Sequence, residues 1–218
     1  MTLHLDIVSD TICPWCYVGK AHLAQALPVL AAEGLVFAIT WRPFQLNPDM
    51  PGEGVDRRMY RTRKFGSWER SQQLDAGVAR AAAAAGLPMR HDLMVRTPNT
   101  VASHVIMALA HEAGGAALQD RFADVLFVAY FVGGQDVGDV ETLATLAADA
   151  GLPREDALAA LADPARAEAV RRDERLAREL RLDGVPSFVL DGRFLFSGAQ
   201  PASVMVQALR QAAVALAS

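Results

Sequence analysis

Apolar and polar residues alternate at the start of the chain: Leu3, Leu5 and Ile7 are separated by His4 and Asp6, and Val8 follows. A period of two predicts a short β-strand, with Ser9 to Ile12 as the turn that leaves it. Residues 14 to 32 change to an alanine- and leucine-rich helical pattern that Gly34 ends, and Leu35 to Phe44, with its β-rich VFAITW, returns to a strand. Strand, helix, strand predicts a parallel βαβ unit.

The stretch NPDMPGEGVDRR, residues 47 to 58, is rich in proline, glycine and charge and marks a lobe boundary. Beyond it almost every signal is helical until about residue 182. Helices are predicted over 67–86, from a cap at Asn99 or Thr100 to Glu112, and over 116–132, 139–150, 154–162 and 164–182. Asp163 before Pro164 is a helix start with proline at the first helical position. Ser187 to Leu190 and Arg193 to Phe196 then form a hairpin around the two-residue turn Asp191-Gly192, and a last helix runs from Pro201 to about Ala217. Removing the helical middle leaves βαβ followed by ββα, the core order of the thioredoxin fold. The expected class is therefore α/β, with residues 1–47 and 176–218 forming a thioredoxin-like domain and 48–175 an inserted all-helical domain.

Composition narrows the function. The chain has 218 residues, 52% of them apolar, and a formal net charge of −4. That is ample for a core without disulfide staples, and it carries no basic footprint for nucleic acid. No run of apolar residues in the sequence reaches membrane-spanning length. The opening MTLHLDIVSD reads as a strand and not as a signal peptide, so a cytoplasmic protein is expected. Oligomeric state leaves no mark in the sequence.

The chain has two cysteines, Cys13 and Cys16, within DTICPWCYVGK. Metal binding, a redox pair and a chance pairing are the three readings. A zinc site usually needs four ligands; there is no second CxxC, and His4, His22, His91, His104 and His111 form no HxxxH-type pair beside this one. No metal is expected. A cytosolic CxxC between a strand and a helix points to redox chemistry. With Cys13 at the helix N-cap and Pro14 at the first helical position, Cys16, Leu23, Leu27 and Leu30 fall on one stripe facing the sheet. Cys16 is then covered, and Cys13 is expected at the open end of the first turn. The unpaired N–H groups and partial positive charge of a helix N-terminus favour a thiolate there.

The segments SDTICPWCYVGK, WRPFQLNPDMP, RTPNT and GVPSFVLDGRFLFSGAQP, with the final helix, resemble the DsbA-like proteins of the FrnE type over nearly the whole chain. The wider superfamily includes 2-hydroxychromene-2-carboxylate isomerases and kappa-class glutathione transferases, which typically carry serine where Cys13 stands. The resemblance implies a thioredoxin fold with a helical insertion and thiol–disulfide oxidoreductase activity. It implies Cys13 as nucleophile, Cys16 as resolving thiol, and Val185-Pro186 as a cis-proline loop facing them, with the Val185 backbone offered to substrate. It also brings Asn99, in RTPNT, toward the active site as a contact for substrate or glutathione; the plain alternative is helix capping by Asn99 or Thr100. No tightly bound cofactor is implied, and glutathione is the expected co-substrate.

Around this centre Pro14 and Trp15 are candidate substrate contacts, Trp15 as an exposed apolar surface. Arg42 stands either near Cys13 or in a surface ion pair. Asp10, if close to Cys13, would oppose thiolate formation. His104 is read as a partly buried structural histidine, with proton handling as the alternative. Phe122, Leu126, Tyr130 and Phe131 form a core stripe or a substrate groove, and RRDERLARELR, residues 171 to 181, a solvated face. The expected partners are disulfide-containing proteins or small-molecule thiols, with no nucleic acid and no membrane. A glutathione-dependent isomerase or transferase acting on an aromatic or polyketide-like molecule is the runner-up, and a holdase-like binding protein the third reading.

Overall fold

The computed structural model describes residues 2–179, 182 and 184–217. The first strand, β1 (Thr2–Ser9), runs into α1 (Pro14–Ala32) and then β2 (Val36–Pro43), which lies parallel to β1 in the register Leu5↔Ile39, Ile7↔Trp41, Ser9↔Pro43. A pair of two-residue strands, β3 (Val55–Asp56) and β4 (Arg96–Thr97), brackets α2 (Arg57–Phe65) and α3 (Trp68–Ala84). The helices α4 (Val101–Phe131), α5 (Val140–Ala150), α6 (Arg154–Ala162) and α7 (Pro164–Glu179) follow. The chain closes with β5 (Ser187–Leu190), β6 (Arg193–Ser197) and α8 (Ala202–Ala217). The main sheet has the order β2-β1-β5-β6, with β5 antiparallel to both of its neighbours. The βαβ and ββα halves therefore share one sheet, and the fold is the thioredoxin fold with a helical insertion. The boundary expected at residue 175 falls inside α7, a continuous helix.

Alternation along β1 sets the core. Leu3, Leu5 and Ile7 are buried on one face with Cys16, Leu23 and Leu30 of α1 and Met205 and Leu209 of α8; Leu27 packs partly buried against the same cluster. Val8 points to the other face, where it meets Phe44 and Ala177 of α7. The β5–β6 turn carries positive φ at Asp191 (45°) and Gly192 (78°), the geometry a two-residue primed turn demands.

α4 is continuous only by its hydrogen bonds. Gly114 and Gly115 leave helical geometry, Gly115 at φ 64° and ψ −159°, so two helices meet there. This matches the predicted break between Glu112 and residue 116. By length and apolarity α4 alone, among the described helices, could cross a membrane, whereas no apolar run of that length is expected from the sequence. Here its apolar side chains are core: Phe122, Leu126, Tyr130 and Phe131 are all buried, and the Tyr17 ring stacks on Phe131 with centroids 5.3 Å apart. α4 also closes the exposed edge of β2. Gln119 accepts from the Trp41 N–H at 2.8 Å and donates to the Trp41 carbonyl at 3.0 Å, standing in for one residue of a neighbouring strand.

The run at 171–179 is less solvated than its charge pattern predicts; residues 180 and 181 of it lie outside the described residues. Glu174 is buried, accepting from the Gln45 N–H and from Arg178, whose guanidinium also donates to the Gln45 carbonyl and lies over the Phe44 ring. These contacts fasten α7 to the segment leaving β2.

Candidate active site

Ser9 ends β1, and the turn that follows is fixed by a buried carboxylate. Asp10 accepts from the Leu46 N–H at 2.7 Å and from the Ile12 N–H at 3.4 Å, while its carbonyl accepts from the Cys13 N–H at 3.0 Å. Cys13 is the N-cap of α1, in extended geometry, and Pro14 occupies the first turn. The Cys13 carbonyl accepts from Cys16 N–H at 3.0 Å, so the two cysteines lie one turn apart, and both are free thiols.

Cys13 differs from its expected setting. It is 3% exposed. The helical insertion folds over the first turn of α1, and Cys13 opens instead onto a cavity of about 620 Å³ between the two parts. Pro14, Trp15, Leu46, Met94 and Val185 line the cavity beside it. Trp15 is 42% exposed, at the rim. The Cys13 thiol donates to the Val185 carbonyl at 3.6 Å, so that carbonyl, expected to face substrate, faces the sulfur. The Val185–Pro186 peptide bond is cis. Pro186 is buried outside the cavity lining, its ring against α1, where a Cβ on Gly19 would come within 3.0 Å of Cγ.

Cys16 lies beneath, with no exposed surface. Burial pushes its thiol well up from the ordinary range, and the adjacent Cys13 adds to this; hydrogen bonding to the Ser9 side chain and the Asp10 backbone pulls the other way.

The remaining candidates separate. Asn99 is not a lining residue: its Nδ2 donates to the Met50 carbonyl at 2.7 Å and its Oδ1 accepts from the Val101 N–H at 2.9 Å, so it ties the 50-loop to the start of α4, whose N-cap is Thr100. Arg42 forms a surface ion pair with Asp6, 2.8 Å apart, and is not among the residues lining this cavity. His104 is buried, its Nε2 donating to the Phe44 carbonyl at 3.0 Å, with Asp10 Oδ1 3.8 Å away. It lines a second cavity of about 300 Å³ at the β2 edge, together with Ser9, Thr11, Trp41 and Gln119.

Sequence reasoning missed the far wall of the large cavity. Arg57, 4% exposed, donates to Asp75 Oδ2 at 2.7 Å; Arg61 donates to Asp75 Oδ1 at 2.6 Å and to Ser71 Oγ at 2.6 Å. Lys64 donates to Tyr60 at 2.8 Å and to Asn47 at 2.9 Å, and Tyr60 also donates to Asn47. His91 Nε2 stands 3.7 Å from Asp75, and burial lowers its pKa from the ordinary value. The lining thus holds two arginines on one carboxylate, with Lys64 beside them on Tyr60 and Asn47. The spacing of Arg57, Arg61 and Lys64, four and then three residues, puts them on one face of α2 and was the available signal. Among the described residues, no group of three or more His, Cys, Asp or Glu side chains is arranged for a metal ion.

A free cysteine pair on the first turn of α1, set in this sheet order, defines the class. The DSBA-like thioredoxin domain matches residues 4–210, and the chain belongs to that family. A probable DsbA oxidoreductase from Streptomyces coelicolor is 38% identical, covering 96% of this chain and 89% of its own, with a TM-score of 0.85. The fold also matches 2-hydroxychromene-2-carboxylate isomerase, at 17% identity, 98% of both chains and a TM-score of 0.71. It matches the cytosolic disulfide reductase DsbM from Pseudomonas aeruginosa at 22% identity, 96% of this chain and 100% of that one, with a TM-score of 0.63; DsbM is also solved with GSH.

Proposed function

We infer that the protein is a dithiol–disulfide oxidoreductase whose working pair is Cys13 and Cys16. The observation that carries this reading is the asymmetry of two free thiols one helical turn apart, one lining a cavity and the other sealed under it. The Cys13 sulfur attacks a substrate disulfide, releases one thiol and forms a mixed disulfide. Cys16 then attacks the Cys13 sulfur and expels the second thiol, leaving a Cys13–Cys16 disulfide. The substrate gains two electrons and two protons, and the cysteine pair loses them. The reverse sequence oxidises a dithiol. In the cytoplasm, the compartment the likeness to a cytosolic disulfide reductase favours, the reducing poise favours reduction or isomerisation of disulfides over net oxidation.

The cavity supports a substrate with an apolar body against Trp15, Leu46 and Met94 and a negative end toward Arg57, Arg61 and Lys64. Glutathione, a thiol with two carboxylates, fits that description and is the proposed small-molecule partner; the GSH-bound DsbM relative supports it. A disulfide-bearing segment of a protein is the other substrate the opening admits.

Cys16→Ser is the test. Given oxidised glutathione or disulfide-bonded insulin, the variant is expected to hold a mixed disulfide, visible as a mass adduct on Cys13, while insulin reduction collapses. Full turnover in the variant, or a parent pair that stays reduced in every glutathione buffer, would sink the reading; on the isomerase alternative the variant's isomerisation rate would be almost unchanged.

A further inference from the structure

The large cavity carries more positive charge than its carboxylate answers. Asp75 has two oxygens, and each already accepts from an arginine, Oδ2 from Arg57 at 2.7 Å and Oδ1 from Arg61 at 2.6 Å. Those guanidiniums are spent on the wall itself. His91 stands 3.7 Å from the same carboxylate, and burial lowers its pKa, so it is neutral near pH 7. Lys64 is placed differently. Its ammonium donates to two neutral acceptors, the Tyr60 hydroxyl at 2.8 Å and Asn47 Oδ1 at 2.9 Å, and it forms no ion pair with a carboxylate among the described residues.

Lys64 is also tied to the turn that holds Cys13. The Cys13 N–H donates to the Asp10 carbonyl at 3.0 Å, and Asp10 Oδ2 accepts from the Leu46 N–H at 2.7 Å. Asn47 is the next residue, and its side chain accepts from Lys64. Leu46, Asn47, Tyr60 and Lys64 line the cavity together with Cys13. Arg57 opens α2, about two turns or roughly 10 Å along the helix from Lys64. The cation without a carboxylate is thus set apart from the ion-paired one at the helix start.

We propose that Lys64, with Asn47, is the specificity-determining site for a substrate carboxylate, and that it selects small disulfides bearing an acidic group over neutral ones. An ammonium has three N–H donors, and two of those on Lys64 are used. Asn47 Nδ2, beside it, donates to nothing among the described residues. The Tyr60 hydroxyl accepts from Lys64 and donates to Asn47, which holds the two side chains as a unit. A carboxylate arriving there meets one unanswered charge and two kinds of free donor, and charge-assisted bonds of that sort are the stronger ones.

The size of the substrate follows from the sulfur. Cys13 is 3% exposed and is met through the cavity, so the molecule that reaches it has to enter. Its carboxylate then lies at Lys64, its carbon body against Leu46, and its disulfide at Cys13. Glutathione disulfide has carboxylates a few bonds from each sulfur and is the probe that fits this arrangement. Arg57 and Arg61 keep the wall in place, and Lys64 reads the charge.

The proposal rests on the redox reading, and a pair of disulfides separates the two. Reduced protein is mixed with excess glutathione disulfide or with neutral bis(2-hydroxyethyl) disulfide, and the rate of protein thiol loss is read for each at pH 7. The ratio of the two rates measures selection, and any change in the fold or in Cys13 itself cancels from it. Lys64→Gln is expected to lower the ratio about fivefold, the reach of an exposed ion pair. Asn47→Asp, which gives the ammonium a carboxylate of its own, is expected to lower it in the same direction, and Lys64→Arg, which keeps the charge, to retain most of it. An unchanged ratio in Lys64→Gln or Asn47→Asp, or a ratio as low in Lys64→Arg as in Lys64→Gln, overturns the proposal while leaving the redox reading standing. A parent protein whose thiols survive both disulfides overturns both.

Discussion

The two cavities flanking the turn at residues 9–13 are built on opposite principles. The larger one, in front of Cys13, has its charges inside: Arg57 and Asp75 are both buried in its wall, with Arg61 half-buried beside them. The smaller one, behind Ser9, keeps its charges at the rim and fixes its interior with neutral bonds, the Thr11–Ser103 hydroxyl pair at 2.7 Å and the Gln119 carboxamide on Trp41. Desolvated charges are costly unless paired, so the front wall depends on Asp75, which pairs both Arg57 and Arg61. A neutral interior holds geometry and adds no field of its own to the redox pair.

That contrast predicts a ranking. Asp75→Ala should cost the most, about 3–5 kcal/mol in urea unfolding, because it strands a buried guanidinium; a loss under 1 kcal/mol would show that the front wall is not held by its ion pairs. Gly19→Val acts at the junction between α1 and the Pro186 loop. Since even one Cβ there sits 3.0 Å from the Pro186 ring, overpacking should cost about 1–3 kcal/mol, and insulin reduction should fall with it as the loop is pushed off Cys13. In the rear wall, Gln119→Leu removes three neutral bonds, to the Trp41 N–H and to the carbonyls of Trp41 and Met107. The orphaned Trp41 N–H should dominate, at about 1–3 kcal/mol by thermal or urea melts.

The smallest effect is in pH. Burial, the largest cause, depresses the pKa of His91 below its ordinary value near 6.5. The unfolded chain therefore binds this proton first on acidification. His91 supports the fold above about pH 6.5, and that support is lost as pH falls through its lower folded value. His91→Gln should flatten the fall in urea midpoint between pH 7.5 and 5; an unaltered slope would remove His91 from the acid response.

Much of this molecule is legible in its sequence, and the exceptions share a cause. Period-two alternation located β1, the Asp191-Gly192 pair located the hairpin, and the helix patterns ending at Glu112 and resuming at residue 116 located the break in α4, because each is decided by residues close together in the chain. Strands β3 and β4 have two residues apiece, too few to show a period, and α2 opens within a stretch whose prolines and glycines read as a boundary. The covering of Cys13 was not legible, since Met94, Tyr130 and Phe131 reach the cavity from distant positions. Glu174 and Arg178 looked solvated because i,i+4 charge pairing reads the same whether the face meets water or, as here, the backbone of Gln45. Asn99 lies outside the cavity lining, with both its amide atoms on backbone partners, one of them the first N–H of α4.

Gln119 carries a further consequence. A strand at the margin of a sheet offers its unmet amides to any passing chain, and evolution commonly blunts such margins with charge or proline. Here a single carboxamide from α4 occupies both outward groups of Trp41. Losing it would therefore do more than soften the fold: it would hand a ready template to a second molecule, and concentrated solutions of such a variant would be drawn toward self-association.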